Sequence, residues 1–111
     1  MLSPEAQQEA MSRLELAFQN EITSAEEGAL LFSPERSSGQ ALLVFSGSIR
    51  LIDPNQTMGS LTLAKLNAPL AFGISQLLDV SCNEEVRALS TCTYALIDTK
   101  SIKKEILETI N

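Results

Sequence analysis

The sequence predicts a mainly β fold of the sandwich or barrel kind, flanked by a helix at each end. Three observations carry this reading. Apolar residues recur at helical spacing over residues 6–18 and again over 102–110. Between Ile22 and Ile97, short apolar runs are broken by Gly, Pro, Ser and Asn every ~8–12 residues, the rhythm of strands and turns. The chain has 111 residues, 44% apolar and 20% charged, and a chain that long buries roughly two-thirds of its unfolded surface, enough for one core. A single domain over 1–111 is expected, with a helix over 1–21, a β region over 22–97 and a helix over 98–111.

In the first segment Ser3 is an N-cap candidate, Pro4 suits the first helical position and Glu5 favours the positive end of the dipole. Ala6, Ala10, Met11, Leu14, Ala17 and Phe18 fall on one face, and the helix is expected to stop near Asn20. Ala41–Phe45 is the clearest strand. Ser46-Gly47 reads as a tight turn, because glycine accepts positive φ. In Ser48–Ile52, Ile49 and Leu51 share one face and Arg50 takes the other. Asp53-Pro54-Asn55-Gln56 has turn composition. Residues 61–66 alternate again, and Val86–Ile97 holds one or two more strands. Asp98 or Thr99 caps the last helix, whose stripe is Ile102, Ile106, Leu107 and Ile110. The apolar helix faces, with Leu2, Met11, Phe18, Ile106 and Ile110, are expected to cover the open side of the β region.

Composition removes whole classes of chemistry. There is no histidine, so Ser-His-Asp and Cys-His nucleophiles are absent, as are His-ligated metals. The net charge of −6 repels phosphate backbones, so no nucleic-acid partner is expected. Cys82 and Cys92 are too few for a four-thiolate site, and quiet reduced thiols are expected. Glu84 and Glu85 disfavour the thiolate of Cys82. Glu26-Glu27 and Glu84-Glu85 are adjacent acids, which point to opposite faces of a strand and do not converge. Arg50 and Arg87 read as outward residues or ion-pair partners, and Lys100, Lys103 and Lys104 as a small basic patch open to a partner. No run approaches the ~20 apolar residues of a membrane span, and no signal-peptide pattern opens the chain. The expectation is a cytoplasmic chain that is not itself membrane-inserted.

The order of the β pieces resembles the cyclic nucleotide-binding domain family. The pieces are Gly28-Ala29-Leu30-Leu31-Phe32, then Leu42-Leu43-Val44-Phe45-Ser46-Gly47-Ser48-Ile49-Arg50-Leu51, Leu66, Phe72-Gly73, Leu77-Leu78 and Val86-Arg87-Ala88-Leu89. The resemblance covers residues 22–111. It implies an eight-stranded β-roll of jelly-roll type, with a short phosphate-cassette helix near 73–79 and flanking helices. It also implies a ligand site at Phe72, Gly73, Ile74, Ser75, Gln76, Cys82 and Asn83. In the family, backbone N–H groups at a helix start and one arginine hold a cyclic phosphate, and a glutamate accepts from the ribose. Here Ile74 stands at the glutamate position, and Cys82 or Asn83 at the arginine position. Asn67-Ala68-Pro69 replaces the glycine-rich lead, and Glu35-Arg36 lacks the glycine ahead of the central strand unless Gly39 supplies it. Loss of the arginine alone removes a contact of about 1.5–3 kcal/mol.

A narrower resemblance links Gly73-Ile74-Ser75, Cys82 and Ala88-Leu89-Ser90-Thr91 to degenerate domains of this family that precede the peptidase domain of bacterial toxin- and bacteriocin-secreting ABC exporters. Those residues imply an Ala-Ser-Thr strand and a place on the cytoplasmic face of a transporter. The first reading is a non-enzymatic regulatory or interaction module without a cofactor. Its partner would be another domain of its own chain or another subunit, a second copy included. A second reading is a sensor for a different small molecule, its pocket lined by Ile74, Gln76, Cys82 and Asn83. A cupin-like enzyme fares worst, because such enzymes hold their metals with histidine.

Overall fold

The computed structural model describes residues 4–33, 39–53, 61–72 and 85–110, with backbone alone at Pro4, Leu61, Leu63 and 106–110. Helix α1 runs Pro4–Ala17 and continues through a 3-10 turn at Gln19–Glu21. Eight strands follow: β1 Thr23–Ala25, β2 Leu30–Phe32, β3 Gln40–Ser46, β4 Ser48–Asp53, β5 Leu61–Asn67, β6 Leu70–Phe72, β7 Glu85–Ala88 and β8 Cys92–Asp98. Helix α2 closes the chain at Thr99–Ile110. The expectation of a mainly β fold with a helix at each end holds, and Val86–Ile97 resolves into two strands rather than one. The cassette helix expected near 73–79 lies outside the described residues, as do Leu2 and the turn at 54–56.

The strands form two antiparallel four-stranded sheets, ordered β1-β8-β3-β6 and β2-β7-β4-β5. Only the β4–β5 connection stays within one sheet, which is the jelly-roll plan. Strand β3 shows why its sequence is a continuous apolar run. It is central in its sheet, and Ala41, Leu42, Leu43 and Val44 are all fully buried. Leu42 and Val44 face the other sheet and join Leu31, Phe32, Ile49, Val86, Ala88 and Cys92. Ala41 and Leu43 face the helices and join Leu14 of α1, Ala95 and Ile97 of β8, and Ile102 of α2. One sheet is therefore covered on both faces. Each fully buried Leu or Ile contributes about 1.5–3 kcal/mol relative to exposure.

Part of each apolar stripe meets the core, and the side chains of Ile106, Leu107 and Ile110 lie outside the described residues. Leu14 is buried, Met11 and Phe18 pack beside it, and Ile102 is buried from α2. Ala17 departs from its expected place: it is exposed, because the α-helix ends there and the chain tightens into the 3-10 turn. Leu16 is 73% exposed. Asp98 caps α2, its Oδ1 accepting from Lys100 N at 2.8 Å, an interaction worth about 1 kcal/mol. Thr99 N and Oγ1 both reach the Gly39 carbonyl, at 3.1 and 3.3 Å, and so fasten α2 to the start of β3.

Four crossings between the sheets meet at one end of the roll. Ala68 N donates to Gly47 O at 2.9 Å, and Leu89 N donates to Ser48 O at 2.9 Å. Gly28 N donates to Ala88 O at 2.8 Å. Gly47 has φ +95°, and a Cβ there would collide with the Thr91 carbonyl and lie 2.8 Å from Cys92 Sγ. Gly28, at φ +91°, has nothing within 4 Å of the same atom. Gly47→Ala is therefore expected to lose about 3 kcal/mol or more, combining backbone strain with the collision. Gly28→Ala, with strain alone, is expected to lose about 1–2 kcal/mol. Urea unfolding of the two variants beside the parent checks the ordering.

Candidate functional site

The expected ligand site can be approached only from its edges. Phe72 is the single member of the set among the described residues; Gly73, Ile74, Ser75, Gln76, Cys82 and Asn83 lie outside them. Phe72 ends β6, at the edge of the helix-covered sheet, opposite Leu42. Its ring is half-buried against the core between the sheets. The chain re-enters at Glu85, which pairs with Ile52 of β4 in the other sheet. The described residues on either side of the expected site therefore belong to an edge strand of one sheet and an inner strand of the other.

The interior between the two sheets is apolar. Leu31, Phe32, Leu42, Val44 and Val86 are buried there, and Leu51, Phe72 and Leu96 pack against them. Among the described residues, no buried side-chain nitrogen or oxygen lacks a hydrogen-bond partner. Nor do three or more acids or thiols stand together as a metal site among those residues. The described cations all lie outside this interior. Arg13 is exposed on α1, and Lys100, Lys103 and Lys104 are exposed on α2. Arg50, Lys65 and Arg87 are placed on the outer face of the second sheet by alternation with the inward Ile49, Leu66 and Ala88.

The expectation for the arginines was an outward position or an ion pair, and the structure shows both. Arg87 lies 3.8 Å from Glu85, and its Nη1 donates to Gly28 O at 3.2 Å. Arg50 Nη1 reaches Thr62 Oγ1 at 3.5 Å. Thr62 sits beyond a bulge opposite Leu51 and Ile52. Glu26 and Glu27 are exposed and lie in the β1–β2 turn rather than on the two faces of a strand. Cys92 is a free, fully buried thiol, as expected of a quiet cysteine. Its Sγ donates to Ser48 O at 3.1 Å and lies 3.2 Å from Ser90 O.

Two groupings were not foreseen from the sequence. The first is the hydroxyl-rich corner around Gly47. Ser46 Oγ and Thr93 Oγ1 are 2.6 Å apart, Ser48 Oγ donates to Asn67 Oδ1 at 2.8 Å, and Ser48 N donates to Ser90 Oγ at 3.0 Å. These bonds explain why Leu89-Ser90-Thr91 form a turn instead of the strand that the exporter resemblance implied: the Leu89 and Ser90 N–H groups both turn to Ser48 O. The second is register. Arg50 is directly opposite Lys65 on one side and Arg87 on the other. Local sequence gives each residue its face, but only strand order makes them neighbours.

No protein-family model matches the chain, and no curated protein matches it in sequence. Solved structures do match. A cyclic nucleotide-binding-like protein from Brucella abortus superposes with a TM-score of 0.65 at 24% identity, over 87% of this chain and 84% of that one. A CooA mutant from Carboxydothermus hydrogenoformans gives 0.64 at 20% identity, over 84% of this chain. The regulatory domain of Toxoplasma gondii PKA with cAMP gives 0.61 at 16% identity, over 88% of this chain. The chain spans 60% of the CooA chain and 42% of the Toxoplasma chain. The fold is thus the β-roll of cyclic nucleotide-binding domains.

Because Cys92 is sealed, a thiol reagent should reach it only through unfolding. In a Cys82→Ser variant, labelling by an aromatic disulfide is expected to proceed at the unfolding rate and to become immediate in urea. Immediate labelling of the native protein would contradict the packing at Gly47.

Proposed function

We propose that the chain is a non-catalytic regulatory or interaction domain: a cyclic nucleotide-binding β-roll whose phosphate cassette has lost its ligand. The observation that carries the reading is the placement of the cations. Every described one lies outside the inter-sheet core, so none is available to a phosphate inside the roll. Arg36 is the one basic residue outside the described set. At the positions where the family keeps its glutamate and arginine, the sequence has Ile74 and Cys82 or Asn83. An anion entering an apolar interior without a paired cation meets a desolvation penalty with nothing to offset it.

The narrower proposal is a cytoplasmic domain of a toxin- or bacteriocin-secreting ABC exporter, supported by Gly73-Ile74-Ser75 and Cys82. In that setting the domain acts on the rest of its own chain or on another subunit. No helix among the described residues is long and apolar enough to cross a membrane, so any membrane segment belongs to another part of such a protein. The exposed Leu16 on α1 supports contact with a neighbour.

Calorimetric titration with cyclic AMP and cyclic GMP tests the reading. No heat is expected up to millimolar ligand, and micromolar binding would overturn it. A paired variant sharpens the test. Ile74→Glu with Cys82→Arg returns the two polar partners, and measurable cyclic AMP binding is expected, a gain of about 1.5–3 kcal/mol from the arginine alone.

A further inference from the structure

The outer face of the β2-β7-β4-β5 sheet carries a feature that the cassette reading does not use. Arg87, Arg50 and Lys65 stand side by side on three consecutive strands, each directly opposite the next. Like charges directly opposite one another in a sheet are unfavourable. This chain has only eight basic residues and a net charge of −6, yet three of the eight are gathered in this row. Glu85 offsets one of them through Arg87, whose side chain remains 35% exposed. Lys65 is exposed and has no hydrogen-bond or ion-pair partner among the described residues, and Arg50 has only the long contact to Thr62. The row is a local positive stripe on an acidic molecule.

We infer that this stripe docks an acidic helix of a partner protein, laid across the strands. Spacing selects the helix. Adjacent strands lie about 4.8 Å apart, so the row spans roughly 10 Å. Carboxylates at positions i, i+3 and i+7 of a helix share one face and advance by about 4.5 and 10.5 Å. An extended acidic strand fits worse, because its same-face residues advance by about 6.8 Å each. The two guanidinium groups donate to carboxylates bidentately, and Lys65 adds a charge at the edge strand. A long polyanion is disfavoured by the acidic remainder of the chain, whereas a short helix meets mainly the stripe. This names the surface for the interaction role proposed above and rests on that role. It is independent of the cassette, so a chain that bound cyclic AMP could still dock through this face.

The test is fluorescence anisotropy with a labelled Ala-based helical peptide carrying Glu at i, i+3 and i+7, and a control peptide with Gln at those positions. The Glu peptide is expected to bind at low salt, to weaken as salt rises, and to exceed the Gln peptide at least fivefold. Arg50→Gln with Lys65→Gln is expected to abolish that preference, as is Lys65→Glu alone, an exposed change that leaves the fold intact by circular dichroism. Lys103→Gln with Lys104→Gln is expected to leave it unchanged. The inference is overturned if the two peptides bind alike, if the α2 lysines carry the binding, or if a short oligothymidylate binds more tightly through Lys65. The nucleotide titration reads the interior and the peptide reads the outer face, so the two failures are separable.

Discussion

The roll depends on one close approach: the passage of the chain from β3 to β4 through Gly47, against the Thr91 carbonyl and Cys92. With no side chain at Gly47, the two sheets can be joined by a single residue. The Ser48 carbonyl then lies where the β7–β8 turn can use it, and it receives Leu89 N, Cys92 Sγ and, at 3.4 Å, Ser90 N. The β5–β6 turn is tied to the same point through Ala68 and Gly47 O. Three separate crossings thus share one set of hydrogen bonds. Their partners lie far apart in sequence: Ser48 and Cys92 are separated by 44 positions. Such a corner forms only when most of the fold is present, which makes it a cooperative element.

The two sheets then have different tasks. The β1-β8-β3-β6 sheet has a core on each face, with Leu42 and Val44 turned to one and Ala41 and Leu43 to the other. The second sheet shares one core and carries Arg50, Lys65 and Arg87 on its outer face. Helices α1 and α2 pack on the first sheet, through Leu14 and Ile102. The closure by Asp98 and the Gly39 carbonyl sets where α2 departs, so any motion at the start of β3 is felt at the base of that helix.

How much of this was legible depended on whether the signal was local. The apolar run Ala41–Phe45 announced a strand, whose burial on both faces the structure added, and the alternation of Ile49, Arg50 and Leu51 gave each residue its side. The cap at Asp98 and the turn at Gly47 could be read because their chemistry lies within a few residues. The cation row could not be read, because it depends on which strands are neighbours and in what register. The bulge beside Leu51 and Ile52, which brings Thr62 to Arg50, has no marker in the sequence. The turn at Ser90 was misread as strand because its partner, the Ser48 carbonyl, comes from 42 positions away. For the ligand site, the family resemblance pointed to Phe72–Gln76, Cys82 and Asn83, while the structure describes Phe72, Glu85 and the apolar interior between the sheets.

The double covering of β3 has a consequence for how the molecule opens. Strand β3 is hydrogen-bonded on both sides, to β8 and β6, and layered on both faces. Its amide protons should therefore be among the last to exchange with deuterated solvent, surviving until global unfolding. Among the described residues, strand β5 has a neighbour on one side only, and its sheet meets one core rather than two. Transient fraying should begin there, peeling from the margin inward while the helices stay seated. A protein assembled this way has a rigid half and a yielding half, and a neighbour bound to the yielding half would hold shut the part most inclined to loosen.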